Sequence, residues 1–97
     1  MRNDDVSRLL DLCCDETGCR RAVVLGNCRR WPLMAARYAF FQLAMDYGLR
    51  QYEAAWWLNR SKNVSFHYRK TAAALAQNDG QFRQLIKKVR ERYEYGK

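Results

Sequence analysis

A chain of 97 residues makes one small domain with a modest core, and its 48% hydrophobic and 13% aromatic content excludes a disordered chain. One proline and five glycines leave little material for sheets and tight turns, so the expected fold class is all-α, a small bundle. The net charge of +8, with a pI near 9.7, points to a polyanionic partner.

That charge is uneven. Residues 1–16 carry a net −3 and residues 17–97 a net +11. The basic residues cluster about a polar break and not along one broad apolar helix, which favours nucleic acid over a membrane surface. No apolar run approaches the ~18 residues of a membrane span. The start, MRNDDVSRLL, has no apolar signal-peptide region, so a cytoplasmic, nucleoid-associated protein with reduced thiols is expected.

Asn3-Asp4-Asp5 suit a helix start, where negative charge meets the positive end of the helix dipole. Val6, Leu9, Leu10 and Cys13 repeat at i, i+3, i+4, i+7, which predicts a first helix from about Asp4 to Cys14, stopped near Thr17-Gly18. Residues 19–31, CRRAVVLGNCRRW, place Arg20-Arg21 and Arg29-Arg30 around a short apolar run and the turn signal Gly26-Asn27. One helical turn and a loop fit this stretch; two strands would be too short to hold themselves. The four arginines read equally as a solvated face or as an arm for phosphates and a groove.

Trp31-Pro32 opens the next helix, with Pro32 at its first position. Leu33, Ala36, Phe40, Leu43, Ala44 and Tyr47 trace one face, Ala35, Ala39 and Phe41 widen it, and Gly48 ends the helix. A helix this apolar is expected at the centre. Residues 50–77, RQYEAAWWLNRSKNVSFHYRKTAAALAQ, follow. A short apolar helix, Tyr52 to Leu58, meets a break at Asn59-Arg60-Ser61, and a second helix over 62–77 takes Ser61 as its N-cap. Two helices joined by three or four residues are the pattern of a helix-turn-helix, whose second helix enters a DNA major groove. Val64, Tyr68, Thr71 and Leu75 give that helix a packing face; Lys62, Asn63, Phe66, Arg69 and Lys70 lie on the other. Asn78-Asp79-Gly80 turns into a last helix, about 80–94, with Phe82, Leu85, Ile86, Val89 and Tyr93 inward. The tail from Glu94 to Lys97 is expected to fray. The whole of 1–97 reads as one domain.

Residues 32–75 resemble the C-terminal DNA-binding domain of the bacterial chromosomal replication initiator DnaA, a Trp-repressor-like helix-turn-helix. The resemblance rests on Arg37-Tyr38-Ala39 in the long helix, Gly48-Leu49, Glu53-Ala54-Ala55 with Leu58, and the run Arg60 to Lys70. Val6, Leu9 and Leu10, with the basic stretch 20–30, stand where the family has its first helix and basic loop. The resemblance implies a reader of double-stranded DNA, with the helix after the turn in the major groove and a loop arginine in the adjacent minor groove. The chain departs from the family at the base-reading tip: Ser61-Lys62-Asn63 replace Asp-His-Thr, so the initiator's target sequence does not carry over. A G-x-x-x-x-G-K-[ST] phosphate loop is absent.

On this reading, Arg20, Arg21, Arg29, Arg30, Arg50, Arg60 and Lys70 neutralise phosphates, which gives affinity without sequence information. Lys62 suits guanine O6/N7 and Asn63 adenine N6/N7. Phe66 either touches a thymine methyl or packs beneath the turn, Arg69 reaches base or phosphate, and Arg29 or Arg30 is the minor-groove arm. Cys13, Cys14, Cys19 and Cys28 lack paired zinc knuckles, and Cys13 falls on an apolar face. His67, the single histidine, has no catalytic constellation around it and is expected to pack or hydrogen-bond beside the second helix. Trp56-Trp57 read either as an exposed partner surface or, preferred here, as one ring plugging the gap between the paired helices and the other packing on a neighbour. No acid–base pair points to an enzyme, and no metal or cofactor is implied. A helical adaptor for a protein partner or a second copy of the chain is the alternative, since Trp, Tyr and Arg favour interfaces; RNA binding is a third reading.

Overall fold

In the computed structural model, residues 1–96 are described, and among them the chain is all-helical, with no strand. Helix α1 (Asn3–Thr17) buries Val6, Leu9, Leu10, Cys13 and Cys14. It runs three residues past the expected end, because the Thr17 hydroxyl donates to the Cys13 carbonyl (2.8 Å) and Gly18 closes the helix in the left-handed region at φ 69°. Residues 19–31 make one helical turn, α2 (Arg21–Val24), and then a loop.

Helix α3 (Leu33–Asp46) is the hub. It packs against α1, α2 and all three later helices, and its buried residues encircle the axis. Pro32 stands just before the helix, its carbonyl accepting the first helical bond from Ala36 N–H. Gly48, at φ 108°, turns the chain after α3, and buried Leu49 leads into α4 (Gln51–Trp57).

Between α4 and the next helix, Asn59 adopts φ 59°, the left-handed conformation that asparagine tolerates among non-glycine residues. The helix expected over 62–77 is divided: Lys62–Val64 form a 3-10 turn, and α5 proper is Ser65–Asn78. Ser61 is extended and caps nothing with its side chain. Ser65 instead donates its hydroxyl to the Lys62 carbonyl (2.7 Å), which tightens the first turn. Asp79 caps α6 (Gly80–Tyr95) by accepting from the Phe82 N–H. The end expected to fray at Glu94 stays helical to Tyr95, where Glu94 accepts a 2.9 Å bond from the Tyr47 hydroxyl. Lys97, the end of that tail, lies outside the described residues.

One core joins these pieces: Leu9, Leu10 and Val6 from α1, Phe40, Phe41 and Leu43 from α3, Leu58 after α4, Val89 and Tyr93 from α6. Tyr68 anchors α5 to α3, its ring 5.0 Å from Tyr38 and 5.7 Å from Phe41.

Candidate nucleic-acid interface

The acidic residues stand at 4, 5, 11, 15, 16, 46, 53, 79, 91 and 94, so residues 17–45 and 54–78 contain none. Those two acid-free stretches carry nine cations between them and fold into α2, its loop, α3, the break and α5. The two cation-bearing surfaces, loop and α5, meet in space through a pair of inward-facing arginines.

Arg37 is the first of them. It is 1% exposed in the middle of the apolar hub helix, and no carboxylate pairs with it. Its guanidinium donates to the carbonyls of Val23, Val24 (2.6 Å), Gly26 (3.0 Å) and Cys28, and to Met34 Sδ. Four of these five bonds hold the backbone of α2 and the loop after it. Burial, with the Arg60 charge nearby, pulls its pKa below the ordinary arginine value. Backbone carbonyl dipoles solvate the cation in place of water, and the loop is fixed as the counterpart of that solvation.

Arg60 is the second. Half-buried, it donates to the Leu58 and Asn59 carbonyls (3.2 Å each), to the Tyr68 hydroxyl, and across 34 residues to the Gly26 carbonyl already held by Arg37. Its guanidinium therefore points inward and joins the α4–α5 break to the loop, where an outward phosphate contact was expected. Between loop, α3 and α5 lies a cleft of about 430 Å³, lined by Asn27, Arg29, Arg37, Tyr38, Arg60 and His67 among others, with no carboxylate.

The other expected residues divide. Arg29 and Arg30 are exposed beside this cleft or next to it in the loop, and Arg20 is exposed before α2. Lys62, Asn63, Phe66, Arg69 and Lys70 are all exposed on the tip and outer side of α5, and Ser61 is exposed ahead of them. Phe66 is 62% exposed, which rules out packing beneath the turn. Arg21 is turned away: it donates to Ser7 and pairs with Asp11 at 3.0 Å, both on α1. Arg50 donates to the Tyr52 hydroxyl at 3.0 Å, on the α4 side.

Two aromatic expectations change as well. Trp56 is 71% exposed and plugs no gap; Ala54, Ala55 and Leu58 are the buried residues of this segment, and Trp57 packs partly against the core. His67 is exposed and meets the ring of Tyr68 edge-on. Sequence reasoning missed Arg37 as the organiser of the loop. Its signal was present: it is the lone charge between Arg30 and Asp46.

Cys13 and Cys14 are buried, Cys19 is half-buried and Cys28 is exposed, all as free thiols. Burial raises the thiol pKa of Cys13, and that of Cys14 to about 11. Among the described residues no three His, Cys, Asp or Glu side chains gather closely enough to hold a metal ion, and no helix is long and apolar enough to cross a membrane.

The chain matches no family model, no curated protein and no solved structure.

Proposed function

We propose that this protein is a non-enzymatic reader of double-stranded DNA. Helix α5, led by its Lys62–Val64 turn, enters the major groove, and the 20–30 loop lies on the flanking phosphates or in the adjacent minor groove. The observation that carries this reading is the Gly26 carbonyl shared by Arg37 and Arg60. It ties the loop to the α4–α5 break, so that Arg29 lines one cleft with Val64 and His67, and the exposed Lys62, Asn63, Arg69 and Lys70 belong to the same α5 segment. The 3-10 tip puts Lys62 and Asn63 foremost, where base edges would be read, and Phe66 stands outward for a thymine methyl. Arg20 and Lys70 contribute phosphate contacts.

The order of loop, hub helix, short helix, break and second helix is also that of the initiator DNA-binding domain which residues 32–75 resemble. The altered tip gives this protein a target of its own. The setting that fits is the cytoplasm, on the nucleoid.

Selection of bound duplexes from a random pool tests the proposal. An enriched motif that is lost in an Asn63/Arg69/Lys70 triple alanine variant supports it. Equal binding by wild type and variant overturns it, and salt-insensitive association with protein in place of DNA favours the adaptor reading.

A further inference from the structure

The DNA reading leaves the outward face of α4 unused. Tyr52 and Trp56, one turn apart, are 44% and 71% exposed, and Trp57 stands edge-on to Trp56 at 5.5 Å between ring centroids. These rings line a shallow groove of about 580 Å³ that continues to Arg60, Ser61 and Lys62. Arg50, outside the lining itself, donates from its guanidinium to the hydroxyl of the lining Tyr52 at 3.0 Å. Glu53 is the single carboxylate in the groove, and it accepts the Arg50 backbone N–H at 3.1 Å.

The composition of this groove selects its occupant. Its apolar side chains are all aromatic; no Leu, Ile, Val or Met lines it. A groove for an amphipathic peptide helix presents aliphatic pockets at helical spacing. Flat rings alternating with cations suit unpaired bases, which stack on aromatic faces while their phosphates follow the positive charges. Tyr52 and Trp56 stand about 6 Å apart along α4, which offers two platforms in succession between Arg50 at one end and Lys62 at the other.

We infer that the α4 groove is a binding site for single-stranded nucleic acid, with bases stacked on Trp56 and Tyr52 and phosphates on Arg50 and Lys62. Only Lys62 is common to this site and the proposed duplex surface; Tyr52, Trp56 and Arg50 are not, so the site does not depend on the duplex reading. Lys62 at the shared edge would let one strand pass from one site to the other.

The test uses the full chain and a fluorescein-labelled twelve-residue oligothymidylate, read by anisotropy together with quenching of tryptophan emission. Binding is expected to weaken as salt rises, and Trp56→Ala is expected to lower affinity roughly tenfold. Trp56→Phe should restore part of that loss, and Trp31→Ala should leave affinity unchanged. Because Trp56 is exposed, each variant is expected to keep the wild-type circular dichroism. The Asn63/Arg69/Lys70 triple alanine variant should still bind the oligonucleotide, which separates this site from the duplex one. Absence of binding by wild type, or equal binding by Trp56→Ala, overturns the inference. So does an equal loss of duplex and single-strand binding in Trp56→Ala, which would make the groove part of the duplex interface.

Discussion

Arginine does two different things on two sides of this molecule. On the side built by α1 and α6, three arginines are neutralised: Arg92 pairs with Asp15 (2.7 Å) and Glu16, Arg90 with Asp46 (2.8 Å), and Arg21 with Asp11. On the side built by the loop and α5, no carboxylate lies within ion-pair reach of Arg29, Arg30, Lys62, Arg69 or Lys70 among the described residues. The pairs on the first side are exposed and each contributes at most about 1 kcal/mol. Unpaired cations on the second side repel one another slightly and contribute little to the fold. The difference shows that net charge is a poor guide to where a basic protein binds; what matters is which cations the fold leaves without acids. Arg8 on α1 and Arg83, Lys87 and Lys88 on α6 also have no ion pair among the described residues, so the contrast rests on the absence of acids from residues 17–45 and 54–78 and not on the confinement of free charge to one side.

The sharpest way to break the contrast is to loosen the element that builds the second side. Arg37→Met takes its side-chain donor from the carbonyls of Val24 and Cys28 and leaves those of Val23 and Gly26 only the Gly26 N–H and Arg60, which should cost about 3 kcal/mol or more in denaturant unfolding. Arg37→Lys should cost less but still detach the loop, since an ammonium cannot reproduce the five-donor fork. Faster amide hydrogen exchange at Val24 and Leu25 in the lysine variant would report that detachment, while alkylation of buried Cys13 and Cys14 stays slow.

Next in size are the effects on binding. Arg29→Ala together with Arg30→Ala should weaken all duplexes about tenfold at moderate salt and make the salt slope shallower by nearly two. Asn63→Ala should instead relax discrimination at one base pair by about 1–3 kcal/mol with the slope unchanged. A loss of affinity spread over all sequences would mean that Asn63 contacts the backbone.

The smallest effects belong to the first side. Arg92→Ala should change stability by about 1 kcal/mol or less and leave duplex affinity nearly as it was. Its neighbourhood responds to pH. Burial, and the bond to Glu94, push the Tyr47 hydroxyl up to about 12. The fold favours the protonated phenol, so its contribution is intact below the ordinary tyrosine value near 10 and is lost as pH climbs from about 10 towards 12. Thermal unfolding should therefore show a steep decline in that alkaline window. Tyr47→Phe should flatten part of it.

Much of this architecture was legible beforehand. The 3.6-residue repeats located the four longest helices, and Gly18, Gly48 and Asp79 marked ends that follow from local chemistry alone. Ser61 and Trp56 were misread for one reason: their roles depend on what lies across the break. Ala54, Ala55 and Leu58 are the residues of this segment that the core buries while Trp56 turns outward, and the Val64 N–H that a Ser61 hydroxyl would cap already donates to the Ser61 carbonyl. The site was legible as a set of residue types but not as an arrangement. No periodicity reveals that Arg60, placed like a DNA contact, reaches back 34 residues to Gly26, or that Arg37 meets it there.

The salt dependence of duplex binding by two charge-matched variants tests the central claim most directly. Arg29/Arg69/Lys70 triple alanine and Arg21/Arg90/Arg92 triple alanine each remove the same net charge, the first from the unpaired side and the second from the paired one. The slope of log affinity against log salt should become shallower by about 2–3 in the first variant and by less than about 1 in the second. Equal changes in both would contradict the account, because duplex binding would then follow total charge and not the surface the fold leaves without acids.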